Sequence, residues 1–185
     1  MQRLIAQYAA AAAAVLLAGV CHAQPPEMPK PTKEHELLAQ FAGEWEVTAE
    51  TVPMPGQEAF KCTGTESAKM VGGFWLIGRN ESSVQGMAMS SVLTIGYNPV
   101  TKKYFGTFLC SADSTLWKYV GAMDETGKKL TLETEGPLPF ESGPKAKFRE
   151  VLELKDKDHK TFTTYMDGGD GNWVKFVTLE YRRKP

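Results

Sequence analysis

From Trp45 to Arg182 apolar residues recur at every second position, in short segments separated by turn chemistry. No other feature constrains the fold so strongly, because a period of two puts successive side chains on opposite faces of a strand. Strands are predicted at 44–52, 59–70, 74–84, 88–97, 103–111, 115–123, 129–135, 147–155, 160–166 and 173–182. Their links, "PMPGQ", "GG", "VQG", "NPVTKK", "DETGKK", "DKDHK" and "DGGDGN", have hairpin length and hairpin residues. One longer loop, "GPLPFESGPKAK" (136–147), breaks the rhythm. Consecutive hairpins make a meander, and a meander of about ten strands hides its edges by closing on itself. The expected fold class is all-β, an up-and-down antiparallel barrel wide enough to hold interior space.

Upstream of the strands the pattern changes twice. Thr32 can cap a short helix through "KEHELLAQF", with Leu37, Leu38 and Phe41 on one face and Gly43 ending it. Residues 24–32, "QPPEMPKPT", read as a proline-rich tether to a single domain over 33–185. Residues 1–23 read as a signal peptide: Arg3, then an Ala-rich apolar run from Leu4 to Val20, then a small-x-Ala site ending at Ala23. Val20 before Cys21 fits a lipidation motif poorly, so ordinary cleavage and a periplasmic or secreted location are expected. Without Arg3, 20 Lys+Arg face 22 Asp+Glu and no basic stripe exists, which argues against nucleic acid as a partner. No later stretch approaches the roughly 20 apolar residues of a membrane-spanning helix.

Beyond the leader there are two cysteines, Cys62 and Cys110, and in an oxidising compartment a disulfide between them is permitted, two buried thiols being the alternative. Phe60, Cys62, Gly64, Glu66, Ala68 and Met70 share a face, so Glu66 points where the apolar groups point. A buried carboxylate needs a partner or a proton. Trp75, Ile77, Arg79 and Glu81 share a face of the next strand, and Arg79 across the hairpin is the expected partner. Such a pair either fixes register or anchors a ligand's head group. The candidate ligand-binding residues are Glu66, Arg79, Trp75, Tyr97, Phe108 and Trp117.

Catalytic and metal signatures are lacking. His35 and His159 stand alone after the leader, without a neighbouring His or Cys at ligand spacing. Asp167, Asp170 and Asn172 in "DGGDGN" do not follow the EF-hand spacing and read as a hairpin turn. Beyond the leader there is no Gly-x-Ser-x-Gly, no Cys with a nearby His and no phosphate loop. No metal and no catalytic residue is therefore assigned.

A helix, the Gly-x-Trp of Gly43 and Trp45, a strand meander and the basic pair after the last strand ("YRR") together resemble the calycin superfamily. That resemblance implies that Trp45 closes one end of the barrel beneath Arg182 or Arg183. The stretches "EHELLAQFAGEWEV", "GTES" with "GGFWLIG", "LTIGYNPVTKKYFGTF", "LWKYVGAMD" and "DGGDGNWVKFVTLEYRR" resemble domain-of-unknown-function family 1579, from about Met28 to Arg183. More distantly similar nitrobindin-type barrels hold haem through a histidine near the chain's end. This chain has no His after His159, so no haem or other cofactor is expected. The expected function is non-catalytic binding of a small, largely apolar ligand inside the barrel. The alternatives are an enzyme built on Glu66 and Arg79, and a protein-interaction module using the 136–147 loop and "GMAMS" (86–90).

Overall fold

A computed structural model describes residues 27–51, 61–137, 145–169 and 171–185. The leader, Cys21, the start of the tether, the "PMPGQ" turn, most of the 136–147 loop and Asp170 lie outside the described residues. Before Pro31 the chain is a separate unit, in which Lys30 pairs with Glu27 at 2.6 Å in solvent.

From Pro31 the chain forms one helix and ten strands: α1 (Lys33–Ala39), β1 (Gly43–Thr51), β2 (Lys61–Val71), β3 (Trp75–Val84), β4 (Met87–Asn98), β5 (Lys103–Cys110), β6 (Trp117–Met123), β7 (Lys129–Gly136), β8 (Ala146–Asp156), β9 (His159–Asp167) and β10 (Trp173–Arg183). Each strand pairs antiparallel with its neighbour in sequence, and β10 closes on β1. The fold class read from the sequence is thus present: all-β, a closed ten-stranded barrel with one short helix.

The β2–β3 hairpin departs from expectation. A two-residue Gly-Gly turn would pair Val71 with Phe74 and set Glu66 opposite Arg79. The turn instead takes in three residues, with Gly72 and Gly73 at φ 59° and 76°, and the Phe74 N–H donates to the Val71 carbonyl at 3.1 Å. Val71 therefore pairs with Trp75, and Glu66 faces Asn80. One residue of register inverts every side chain. Leu76, Gly78 and Asn80 turn inward, whereas Trp75 and Arg79 lie on the outer face and are exposed. Trp75 lies over Gly96, where a Cβ would stand 2.8 Å from its ring, and meets Phe105 edge-on at 5.2 Å.

The helix plugs one end of the barrel. Its buried residues are His35 and Leu38, followed by Phe41 after the last turn. The plug is tied to strand ends on several sides. His35 Nδ1 accepts from the Thr32 N–H at 3.0 Å, which leaves Nε2–H to donate to the Tyr97 carbonyl at 3.1 Å. Tyr104 donates to the Glu34 carbonyl at 3.0 Å, and the Gln40 amide donates to the Gly127 carbonyl in the β6–β7 turn. Behind it Leu38, Phe41, Trp45, Val47, Ile95, Leu130 and Leu132 are almost wholly sealed from solvent. That apolar layer is the main source of stability, at roughly 1.5–3 kcal/mol per fully buried large side chain.

Candidate functional site in the barrel interior

Trp45 stands at the plugged end between two cations. The Arg183 guanidinium lies 4.1 Å from its ring centroid and the Lys160 ammonium 4.4 Å away. Of the two basic residues the sequence offered, Arg183 covers the ring. Its Nη1 also donates to the Ala42 carbonyl and its Nε to the Lys157 carbonyl. Arg182 pairs with Glu46 and His159 in the ladder, on the opposite face, and is exposed. The approach of Arg183 requires Gly43, whose φ of 141° suits glycine and whose Cβ would collide with the guanidinium.

Glu66 does point inward, but the expected pair with Arg79 does not form. Its partner is Lys160, which donates to Glu66 Oε1 at 2.6 Å and to the Phe41 carbonyl at 3.0 Å. Lys160 also sits 4.8 Å from the Tyr181 ring. Burial holds the Lys160 ammonium below its ordinary pKa, and the Glu66 charge opposes that. Sequence reasoning missed Lys160 although a signal existed: in "HKTFTTY" it shares a face with Phe162 and Thr164.

A second buried carboxylate, Glu150, also escaped notice. It shares the inward face of β8 with Phe148 and Leu152, and its exposure is 7%. Thr164 across the β8–β9 ladder donates to its Oε2 at 2.7 Å. No cation approaches it among the described residues, and burial pushes its carboxyl up to about 7 while Thr164 pulls it back. Burial, and then the Glu150 charge, also push the Tyr119 phenol well above its usual range. Two ladder pairs along, opposite Phe148, the Thr134 hydroxyl is buried without a hydrogen-bond partner among the described residues.

The remaining candidates divide. Tyr97 belongs to the plug, stacked edge-on against His35 at 5.6 Å and tilted on Tyr104 at 5.0 Å. Phe108 and Trp117 are ladder partners on the inner wall away from the plug, and both are only half-buried. Leu93, Phe162 and Leu179 are half-buried inner-wall residues too. The enclosed space between Glu66, Leu76, Leu93, Lys160, Phe162 and Tyr181 amounts to about 10 Å³, room for roughly one water, so Leu93 and Phe162 stand at the edge of the filled region. A larger cleft of about 480 Å³ lies where β7 and β8 meet the start of β10, lined by Glu133, Thr134, Phe148, Arg149 and Trp173. There Arg149 bonds Glu133 at 2.7 Å and covers the Trp173 ring at 4.0 Å.

The thiols do not meet. Cys62 on β2 and Cys110 on β5 are both free, so the permitted disulfide is absent. Three strand steps separate them, roughly 14 Å along the wall at about 4.8 Å per step, and a disulfide needs Cα atoms within about 7 Å. Neither histidine fits a haem held from inside the barrel. His35 spends both ring nitrogens on the plug, and His159 bonds Glu180 at 2.5 Å on the outer face. Asp167 accepts from the Gly169 N–H as an ordinary turn residue, and no metal-ligating cluster occurs among the described residues. None of the helices described is long and apolar enough to cross a membrane.

These features define a class: a closed ten-stranded barrel, plugged by a helix, with a buried ion pair at its base and half-buried aromatics above. Residues 30–183 match the family described as "Protein of unknown function (DUF1579)", and the chain belongs to that family. No curated protein matches it in sequence. Among solved structures it is similar to Rv2717c from M. tuberculosis, at 14% identity and a TM-score of 0.62, covering 84% of this chain and all of that one. It is also similar to a de novo designed fluorescence-activating β-barrel, at 11% identity and TM-score 0.45, covering 80% and 96%. A redesigned barrel, mFAP0, bound to DFHBI, follows at 9% identity and TM-score 0.44, covering 78% and 99%. At these identities the first likeness is one of fold.

Proposed function

We propose that this chain is an exported, calycin-like barrel that holds a small, largely apolar ligand in its interior without catalysing a reaction. One observation carries the reading. The inner wall is sealed near the plug, yet Leu93 and Phe162 at the edge of that filled region, and Phe108, Trp117 and Leu179, remain partly accessible. Inward-facing aromatics reachable from outside describe a cup with a filled base, and the mouths of barrels are common ligand sites. Glu66 and Lys160 satisfy each other, so they serve as the cup's floor. With Arg79 on the outer face, the Glu66–Arg79 enzyme has no site. Haem held by histidine is not part of this proposal, and the amino-terminal leader, cleaved near Ala23, directs the protein to the periplasm or beyond.

Native mass spectrometry of the protein purified from its own host tests the binding reading. A retained small molecule, released on denaturation and lost from a Phe108→Ala/Trp117→Ala variant, is the expected result. A homogeneous unliganded mass, together with no binding of N-phenyl-1-naphthylamine, would overturn it.

A further inference from the structure

The ion pair at the base leaves no charge to spare, because Lys160 donates to Glu66 at 2.6 Å. Glu150 is different. Its only hydrogen bond among the described residues comes from the Thr164 hydroxyl to Oε2, and Oε1 has no partner there. The residue is more than nine-tenths buried and faces the interior from the middle of β8. Across one ladder, Leu132 is sealed; across the other, Thr164 is half-buried, so Glu150 stands where the packed base gives way to the accessible wall. The orphan Thr134 hydroxyl lies two ladder pairs along, diagonal to Glu150 on the same face. Buried carboxylates are normally paired or richly hydrogen-bonded, and buried hydroxyls are normally satisfied. A buried carboxylate with one oxygen free of protein partners among the described residues, and an unsatisfied hydroxyl diagonal to it on the same face, are what a ligand's head group would complete.

Resting on the interior-ligand reading above, we infer that Glu150, with Thr134 and Thr164 beside it, forms the head-group subsite of the barrel, selecting ligands that carry a protonated amine on an apolar body. An ammonium supplies both the missing charge and up to three N–H donors. A carboxylate head would face Glu150 with a like charge. A hydroxyl head could donate one hydrogen bond but would leave the charge unpaired. Phe108, Trp117 and Phe162 supply the apolar and aromatic wall for the body of such a ligand, and aromatic faces favour a nearby cation.

Displacement of N-phenyl-1-naphthylamine by dodecylamine, dodecanol and dodecanoate, at about pH 8 where the amine is protonated, tests this. The amine is expected to compete at least about tenfold better than dodecanoate and better than dodecanol. In Glu150→Gln, which keeps the shape and the Thr164 contact, the ratio of amine to dodecanoate competition, read within that variant, should fall to about twofold or less. Glu133→Gln, which alters a carboxylate on the outer face, should leave the preference intact. Probe binding without amine preference in the wild type overturns the head-group assignment alone, as does a preference that survives in Glu150→Gln. Failure of the probe and all three competitors to bind overturns the interior-ligand reading itself, and the assignment with it. Should Glu150→Gln fail to fold, the wild-type competitor series alone still decides.

Discussion

Lys160 donates to Glu66 at 2.6 Å inside the barrel, although 94 residues and three strand steps separate them. The strands between them, β1 and β10, place Trp45 and Tyr181 under the same ammonium, at 4.4 and 4.8 Å. The Phe41 carbonyl completes its shell, so one side chain joins the helical plug to three strands. Removing one member of a buried pair strands the other charge, at a cost of about 3–5 kcal/mol. Lys160→Met and Glu66→Gln should each lower the unfolding free energy by that much, seen as a lower urea midpoint at unchanged slope. The double variant Glu66→Leu/Lys160→Met should recover most of the loss. Single variants within about 0.5 kcal/mol of wild type would contradict the assignment.

Trp45 is wholly buried against Arg183. Trp45→Ala should therefore cost about 3–5 kcal/mol, the usual range for truncating a large core aromatic. Arg183→Ala should cost less, about 1–2 kcal/mol, through the lost cation–π contact and its backbone bonds. Arg182→Ala, on the exposed face, should stay within about 0.5 kcal/mol. Chemical denaturation of the three variants checks the order, and equal effects at the two arginines would refute it.

Glu150 gives the molecule a pH dependence of definite sign. Its folded carboxyl, raised by burial, titrates near about 7 against an ordinary 4.5. Below 4.5 both states hold the proton and its burial costs nothing extra. As pH rises from there to 7 the unfolded chain ionises first, so stability falls, by about 3 kcal/mol in all at 1.36 kcal/mol per unit. Glu150→Gln should remove that slope and melt higher than wild type at about pH 8. The difference in melting temperature between the two proteins, followed against pH, isolates the group. A difference that does not grow above pH 5 would exclude the raised value.

The separation of Cys62 and Cys110 predicts two free thiols in protein prepared without reductant. Alkylation under denaturing conditions should modify both peptides. A linked peptide pair would contradict the register of β2 and β5.

Most of the barrel could be read directly because its information is local. Hairpin residues mark the turns, alternation marks the strands, and neither depends on distant contacts. Faces were legible where alternation was clean, as from Cys62 to Met70. In β3 both faces carry apolar groups, so parity rested on the length of one turn, and the third turn residue, Phe74, moved Arg79 and Trp75 outside. Phe108 and Trp117 stood among the candidates by residue type, but the ladder and not the sequence put them on the inner wall. Glu150 and Lys160 were hidden for another reason, since charged residues on an alternating strand look like its solvent side until the closed ladder shows otherwise.

By itself, then, the sequence determined the number, order and antiparallel sense of the strands, the capped helix before them, and the Gly43–Trp45 turn into the barrel. These follow from φ/ψ preferences and the two-residue period, which act over a few residues. Only the closed tertiary structure decided that Lys160 and not Arg79 answers Glu66, that Arg183 and not Arg182 covers Trp45, and that Glu150 stands unpaired inside. Closure brings together residues that no sequence separation links, and the low dielectric it creates turns those meetings into large energies.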